Sequence, residues 1–182
     1  MKKGLVKKED ENKFSSAPIV SSAHLASPEK GWQLSELEYA MTMVYNAFSR
    51  WMIHCMASVG FSDFKPLDIL VLHNVNHRTK VKTSTDIAFM LNIDDSHHID
   101  YSLQKLVKFG LIKGTKVGKD IFYLTTEKGK ELCHNYRNIR QSCLIGAAIA
   151  TDRNFEEVSH VALILRSISG LYDQASRSAS SL

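Results

Sequence analysis

The residues of this chain best suited to chemistry are polar or basic, and they gather between positions 82 and 119. Ser96, His97, His98, Tyr101, Gln104 and Lys105 follow one another closely. Hydroxyl, imidazole and amide groups donate and accept at the edges of bases, while a lysine neutralises a phosphate. Just upstream, Lys82 precedes Thr83, Ser84 and Thr85. A helix opening on such residues offers its backbone N–H groups and its dipole to a phosphate. Downstream, Lys113 precedes the turn Lys116-Val117-Gly118-Lys119, and three lysines so placed suit attraction to a nucleic-acid backbone.

Each group also has a plainer reading. The polar residues at 96–105 would serve as a solvated helix face, the hydroxyls as an ordinary cap, and the lysines as a charged edge that discourages sheet-to-sheet pairing. Charge distribution favours the first set of readings. The formal net charge is only +4, but residues 101–130 hold seven lysines against Asp120 and Glu127, whereas residues 81–100 hold Lys82 against Asp86, Asp94, Asp95 and Asp100. A local excess of five positive charges beside a polar helix points to an anionic partner.

Other chemistries lack an anchor. No Gly-rich phosphate loop, nucleophile elbow or His-Glu-any-any-His motif occurs, so the sequence reads as a non-enzyme. His73 and His77 stand four apart, but no carboxylate or thiol matches them at metal spacing. No metal or cofactor is expected. Cys55, Cys133 and Cys143 are odd in number, follow no paired spacing and lie in apolar helical stretches. Their expected state is buried and reduced, in the cytoplasm. Lys2, Lys3, Lys7 and Lys8 could open a signal peptide, but polar residues 9–13 stand where its apolar core belongs. No apolar run approaches the roughly 20 residues that span a bilayer, so no membrane partner is expected.

The elements that must position these groups follow from periodicity. Residues 1–31 lack a period and read as an irregular arm. Leu34, Leu37, Met41, Val44, Phe48, Trp51, Cys55 and Val59 recur at threes and fours, one apolar stripe on a long helix with Ser35 as its cap and Gly60 as its stop. Pro66 opens a second helix. Thr83 and Asp86 form a capping-box pattern for a third helix, and Asp94 or Asp95 caps a fourth that carries Ile99, Leu103 and Leu106 and stops at Gly110. Residues 111–115 and 121–124 read as two strands around a turn. Two helices separated by a short break, followed by a hairpin, describe a winged helix-turn-helix. Leu132, Tyr136, Ile139, Cys143, Ala147 and Ala150 continue as a helix capped by Thr126. A last helix, capped by Asn154, carries Val158, Val161, Leu165, Ile168 and Tyr172. Residues 175–182 read as a frayed tail.

Over residues 63–132 the chain resembles the MarR family of winged-helix transcription regulators. The resemblance rests on Ile87-Ala88 with Leu91, on Leu106 with Gly110-Leu111-Ile112, and on the step Leu124-Thr125-Thr126-Glu127-Lys128-Gly129 after the hairpin. It implies a homodimer whose first and last helices interlock and whose fourth helices enter successive major grooves. The family's wing usually carries an Asp-any-Arg stretch and its fourth helix an Arg. Here the wing offers only lysines, and Tyr101 stands at the helix position. Bidentate recognition of guanine by Arg is therefore absent from that helix.

The expected architecture is mainly α with a small β-hairpin wing. It comprises an arm (1–31), a dimerisation helix (32–62), the winged helix-turn-helix (63–130), C-terminal dimerisation helices (131–174) and a tail (175–182). The expected dimer residues are Leu34, Leu37, Met41, Val44, Phe48, Val158, Val161, Leu165 and Ile168, because flanking stripes of this length exceed what a small module buries. The expected partner is double-stranded DNA, read as a pseudo-palindrome. Two alternatives stand beside it: a winged-helix protein-interaction module that has lost DNA binding, and a sensor for a small-molecule effector.

Overall fold

The computed structural model describes residues 31–77 and 81–182. The arm expected at residues 1–31 thus lies, except for Gly31, outside the described residues. The chain forms two compact units, Met1–His54 and Cys55–Leu182.

The described part of the first unit is the helix α1, Trp32–Ser58, whose last turn enters the second. The cap expected at Ser35 is displaced. The helix begins four residues earlier, where the carbonyl of Gly31, at φ 103°, accepts the Leu34 N–H at 3.0 Å, and Ser35 is buried inside the first turn. Along this helix Leu34, Val44 and Phe48 are exposed, while Leu37 and Met41 are half-buried.

In the second unit, Gly60 at φ 90° ends the helical path. Helix α2, Pro66–Asn76, follows with its proline in the first turn. Helix α3, Ser84–Leu91, starts on the expected box: Thr83 Oγ1 accepts the Asp86 N–H at 3.1 Å, and the Asp86 carboxylate accepts the Thr83 N–H at 2.9 Å. Asn92, in the left-handed region at φ 53°, closes it. Helix α4, Ser96–Lys108, is capped by Asp95, which accepts the His97 N–H at 2.9 Å. Gly110 at φ 69° then turns the chain into the hairpin.

The hairpin is longer and tighter than expected. Strands β1, Ile112–Val117, and β2, Asp120–Thr125, pair antiparallel from Ile112↔Thr125 to Val117↔Asp120, leaving a two-residue turn of Gly118 and Lys119. The positive φ of Gly118 lets the turn close so early. Helix α5, Glu127–Ile139, is capped by Thr126, which accepts the Gly129 N–H. Gly129 is required there, because a Cβ at that position would run into the Leu111 carbonyl oxygen.

The helix expected through residue 150 changes pitch. A π-helical segment, Arg140–Ile145, joins α5 to the short helix α6, Gly146–Ala150. Cys143 lies on that segment and is exposed, contrary to the expectation of three buried thiols. Cys55 and Cys133 are buried, and burial pushes the Cys133 thiol up to about 11. The last helix α7, Phe155–Ala179, carries through the tail expected to fray, since Ala175 and Ala179 favour helix. Asn154 caps it by accepting the Glu156 N–H at 2.9 Å.

The core of this unit forms where α2 packs against α3, α4 and α5. Ile69, Val71, Leu72 and Val75 from α2 meet Ile87 from α3, Ile99, Leu103 and Leu106 from α4, and Leu111 and Ile112 at the foot of the hairpin, all at most 2% exposed. Each such side chain contributes roughly 1.5–3 kcal/mol by leaving water. That packing fixes α3, α4 and the hairpin as one body.

Candidate nucleic-acid interface

Burial on one side of α4 decides what its other side presents. Ile99, Ser102, Leu103 and Leu106 face inward. The outward ridge, at helical intervals of four, three and four, is His97, Tyr101, Gln104 and Lys108, all exposed, with Tyr101 at 68%. Tyr101, Gln104 and Lys108 border an open hollow of about 370 Å³. Ser96 and His98 are exposed at the N-terminal end, where His98 Nε2 lies 3.6 Å from the Asp95 carboxylate.

The orientation of this ridge is locked from behind. Asp68 on α2 is 2% exposed and accepts three bonds, from the Lys65 N–H at 2.9 Å, the Ser102 hydroxyl at 2.8 Å and the Lys105 ammonium at 2.7 Å. Lys105 also donates to the Asp63 carbonyl at 2.7 Å and lies 5.0 Å from the centre of the Phe64 ring. Expected at a phosphate, Lys105 instead joins α4 to α2. Phe64 continues into a cluster with Phe61 and Phe109 at centroid distances of 5.1–6.1 Å. A buried carboxylate with three donors, one of them an ammonium, keeps its charge compensated and its geometry single-valued.

Three more of the expected DNA-facing residues turn inward. The Ser84 hydroxyl donates to the Asp100 carboxylate at 2.6 Å, tying α3 to α4. Burial, and then the Asp100 charge, raises the phenol of Tyr123 on β2 above its ordinary value, so Asp100 also lies beside the hairpin. The Lys82 ammonium donates to the Asn74 carbonyl and, at 2.8 Å, to the His77 carbonyl, where the α2 dipole is negative. The Lys82 backbone pairs with Tyr123 as a bridge on the edge of the hairpin. Thr83 is half-buried and occupied in its capping box.

The remaining expected residues face solvent. Thr85 is exposed on the first turn of α3. Lys113, Lys116 and Lys119 are exposed on the hairpin. Lys113 and Lys116, three apart on one strand, point to opposite faces of it, so the wing carries positive charge on both sides. Tyr123 and Ile121 lie against Gly114, filling the space a side chain would take. Lys108, which the sequence places on the outward face of the fourth helix, stands four residues after Gln104 on the same ridge and is exposed. Only the cap contact of Asp68 with Lys65 is local; its Ser102 and Lys105 partners lie 34 and 37 residues away, so the sequence does not display them. No group of three or more metal-ligating side chains occurs among the described residues.

Residues 64–129 match the family model of the winged helix DNA-binding domain. Among solved structures, the chain is similar to a MarR family transcription regulator at 14% identity and TM-score 0.63, covering 80% of this chain and 93% of that one. A MarR family regulator from Neisseria meningitidis matches at 15% identity and TM-score 0.61, covering 79% and 95%. The fold is that of the MarR-family regulators. A third structure of this fold, the transcriptional repressor CouR bound to a DNA duplex, is 20% identical with TM-score 0.61, covering 75% and 95%. No curated protein sequence matches the chain. Within the MarR fold, the polar ridge of α4 and the lysine hairpin lie on the helix-turn-helix and the wing. No described helix is long and apolar enough to cross a membrane.

Proposed function

We propose that this protein is a cytoplasmic DNA-binding transcription regulator that binds a pseudo-palindromic duplex as a homodimer. The observation that carries the reading is the exposed ridge His97–Tyr101–Gln104–Lys108 on a helix held rigidly from behind by Asp68, Ser102 and Lys105. His97, Tyr101 and Gln104 are the base-edge readers, with Ser96 and His98 at the helix entrance. Lys108, Thr85 and the wing lysines Lys113, Lys116 and Lys119 meet phosphates. Lys82, Thr83, Ser84 and Lys105 hold α3, α4 and the hairpin in register and act through them.

The homodimer is supported by surplus apolar surface. Helix α7 has 25 residues and none is buried. Val158 and Val161 are exposed and Leu165 and Ile168 half-buried. Helix α1, 27 residues and so about 40 Å long, exposes Leu34, Val44 and Phe48. A two-fold partner covers such surfaces with a single self-complementary interface. Two α4 helices reading successive major grooves require half-sites about 10 base pairs apart.

Fluorescence anisotropy on mixed genomic fragments, run as a salt series, tests the reading. Binding is expected at low salt and weakens linearly on logarithmic axes. Replacing Lys116 and Lys119 with Ala together flattens the slope by about one unit for each phosphate those lysines neutralise. No binding at the lowest salt overturns the proposal.

A further inference from the structure

Tyr101 and Gln104 stand at the middle of the exposed α4 ridge, and their polar groups are uncommitted. Ser84, Lys82 and Lys105 spend their hydrogen bonds inside the protein, whereas neither the Gln104 amide nor the Tyr101 hydroxyl bonds to another described residue. Both side chains open onto the hollow of about 370 Å³ on the outer side of α4. Residues three apart share one helix face and lie about 4.5 Å apart along the axis. That interval is close to the roughly 3.4 Å step between base pairs of a duplex. The pair is therefore spaced to address two neighbouring base pairs.

Chemistry narrows the bases. A Gln amide holds one donor and one acceptor side by side, and in the major groove adenine offers the complementary pair, its N7 acceptor beside its N6 donor. Guanine offers two acceptors, which would set its O6 against the amide carbonyl; cytosine offers a lone donor and thymine a lone acceptor. The cations that read guanine are missing from this stretch. No arginine occurs from Lys82 to Thr125. Lys105 is turned back onto Asp68, and Lys108 is the last residue of α4, far from the N-terminal part that a recognition helix brings to base edges. Tyr101, 68% exposed, presents an aromatic ring. Its apolar body matches the C5-methyl that thymine alone carries in that groove.

Resting on the regulator reading above, we propose that Gln104 and Tyr101 set the sequence preference of this protein: each half-site presents an adenine to Gln104 and, on the neighbouring base pair, a thymine methyl to Tyr101. The test selects duplexes of randomised sequence with the full chain and then alters single atoms of the selected duplex. An A·T pair beside a thymine is expected in each half-site. Exchanging that adenine for 7-deazaadenine, which lacks N7, weakens binding about fivefold or more, and exchanging the thymine for uracil, which lacks only the methyl, weakens it about twofold to fivefold. Gln104→Ala removes the first effect and Tyr101→Ala the second. Gln104→Glu moves the preference at the same position to cytosine, whose N4 donor a carboxylate accepts. Helical circular dichroism is expected to match the unaltered chain in all three variants, since both side chains lie outside the core. Guanine at the selected position, or a 7-deazaadenine effect that persists in Gln104→Ala, overturns the proposal. Equal binding of every duplex overturns it too while leaving DNA binding itself in place; absence of binding to any duplex overturns the regulator reading and this assignment with it.

Discussion

Helices α4 and α7 repeat apolar residues at the same three- and four-residue intervals, yet their environments are opposite. Ile99, Leu103 and Leu106 of α4 are sealed from solvent, whereas Val158 and Val161 of α7 stand open to it and no residue of α7 is buried. Periodicity states which face of a helix is apolar; it does not state what covers that face. In α4 the cover comes from the same chain, through α2, α3 and β1. On α7 the other described residues leave the face bare, apart from a 3.4 Å hydrogen bond from Asn92 to Asp173 and the partial burial of a few residues. The difference separates a helix whose apolar face is sealed within this chain from one that has no buried residue.

Four experiments press on that contrast. The largest effect is expected from Asp68→Ala, which strands the Lys105 ammonium and the Ser102 hydroxyl behind α4 and costs of the order of 3–5 kcal/mol in chemical denaturation. Duplex affinity should fall with it even where the protein stays folded, because the ridge loses its fixed roll. Gly129→Ala comes next. Its Cβ would collide with the Leu111 carbonyl, a backbone atom that cannot step aside, and about 1–3 kcal/mol is the expected loss in thermal or chemical unfolding.

The third effect is a dependence on pH. His73 packs edge-on against Tyr136 at 4.5 Å between centroids, and burial lowers its pKa below 6.5. The unfolded chain thus takes up a proton first as pH falls. Stability present above about pH 6.5 is lost progressively below it, until the folded-state pKa is passed, with a slope of at most about 1.4 kcal/mol per pH unit. His73→Phe should flatten that part of the profile. The smallest effect is expected at α7. Val161→Asp should alter the stability of a dilute single chain by less than about 0.5 kcal/mol while shifting sedimentation toward monomer. A fall in thermal midpoint as large as that of Gly129→Ala, at low concentration, would make α7 a core helix of one chain and erase the contrast with α4.

Much of the fold is legible in the sequence because its signals are local. Thr83, Asp95, Thr126 and Asn154 cap the helices they precede, and Gly60, Gly110 and Gly118 mark places where the backbone enters the left-handed region. A cap acts within three residues, so the sequence displays both partners. The ridge of α4 is legible for the same reason, by subtraction of its apolar side. What the sequence hides is the use of Lys105, Lys82 and Ser84. A lysine in a basic segment reads as available, and only the folded chain brings Asp68 under Lys105, or the end of α2 under Lys82. Cys143 reads as buried because its neighbours are apolar, yet it is exposed, and here too the missing information is the cover.

The bridge between Lys82 and Tyr123 gives the hairpin the mechanics of a cantilever. The two backbone bonds at that bridge, 2.8 and 3.3 Å, clamp its root to the helix-turn-helix. From Tyr123 and its partner Gly114 to the turn at Gly118, about 13 Å of two-stranded ribbon extends without further bridging. Deflection grows toward the free end, where Lys116 and Lys119 sit, while the clamped end stays in register with α4. On the proposed DNA reading, a beam of this kind would let the terminal charges follow a phosphate rail whose spacing varies with sequence, without tilting α4.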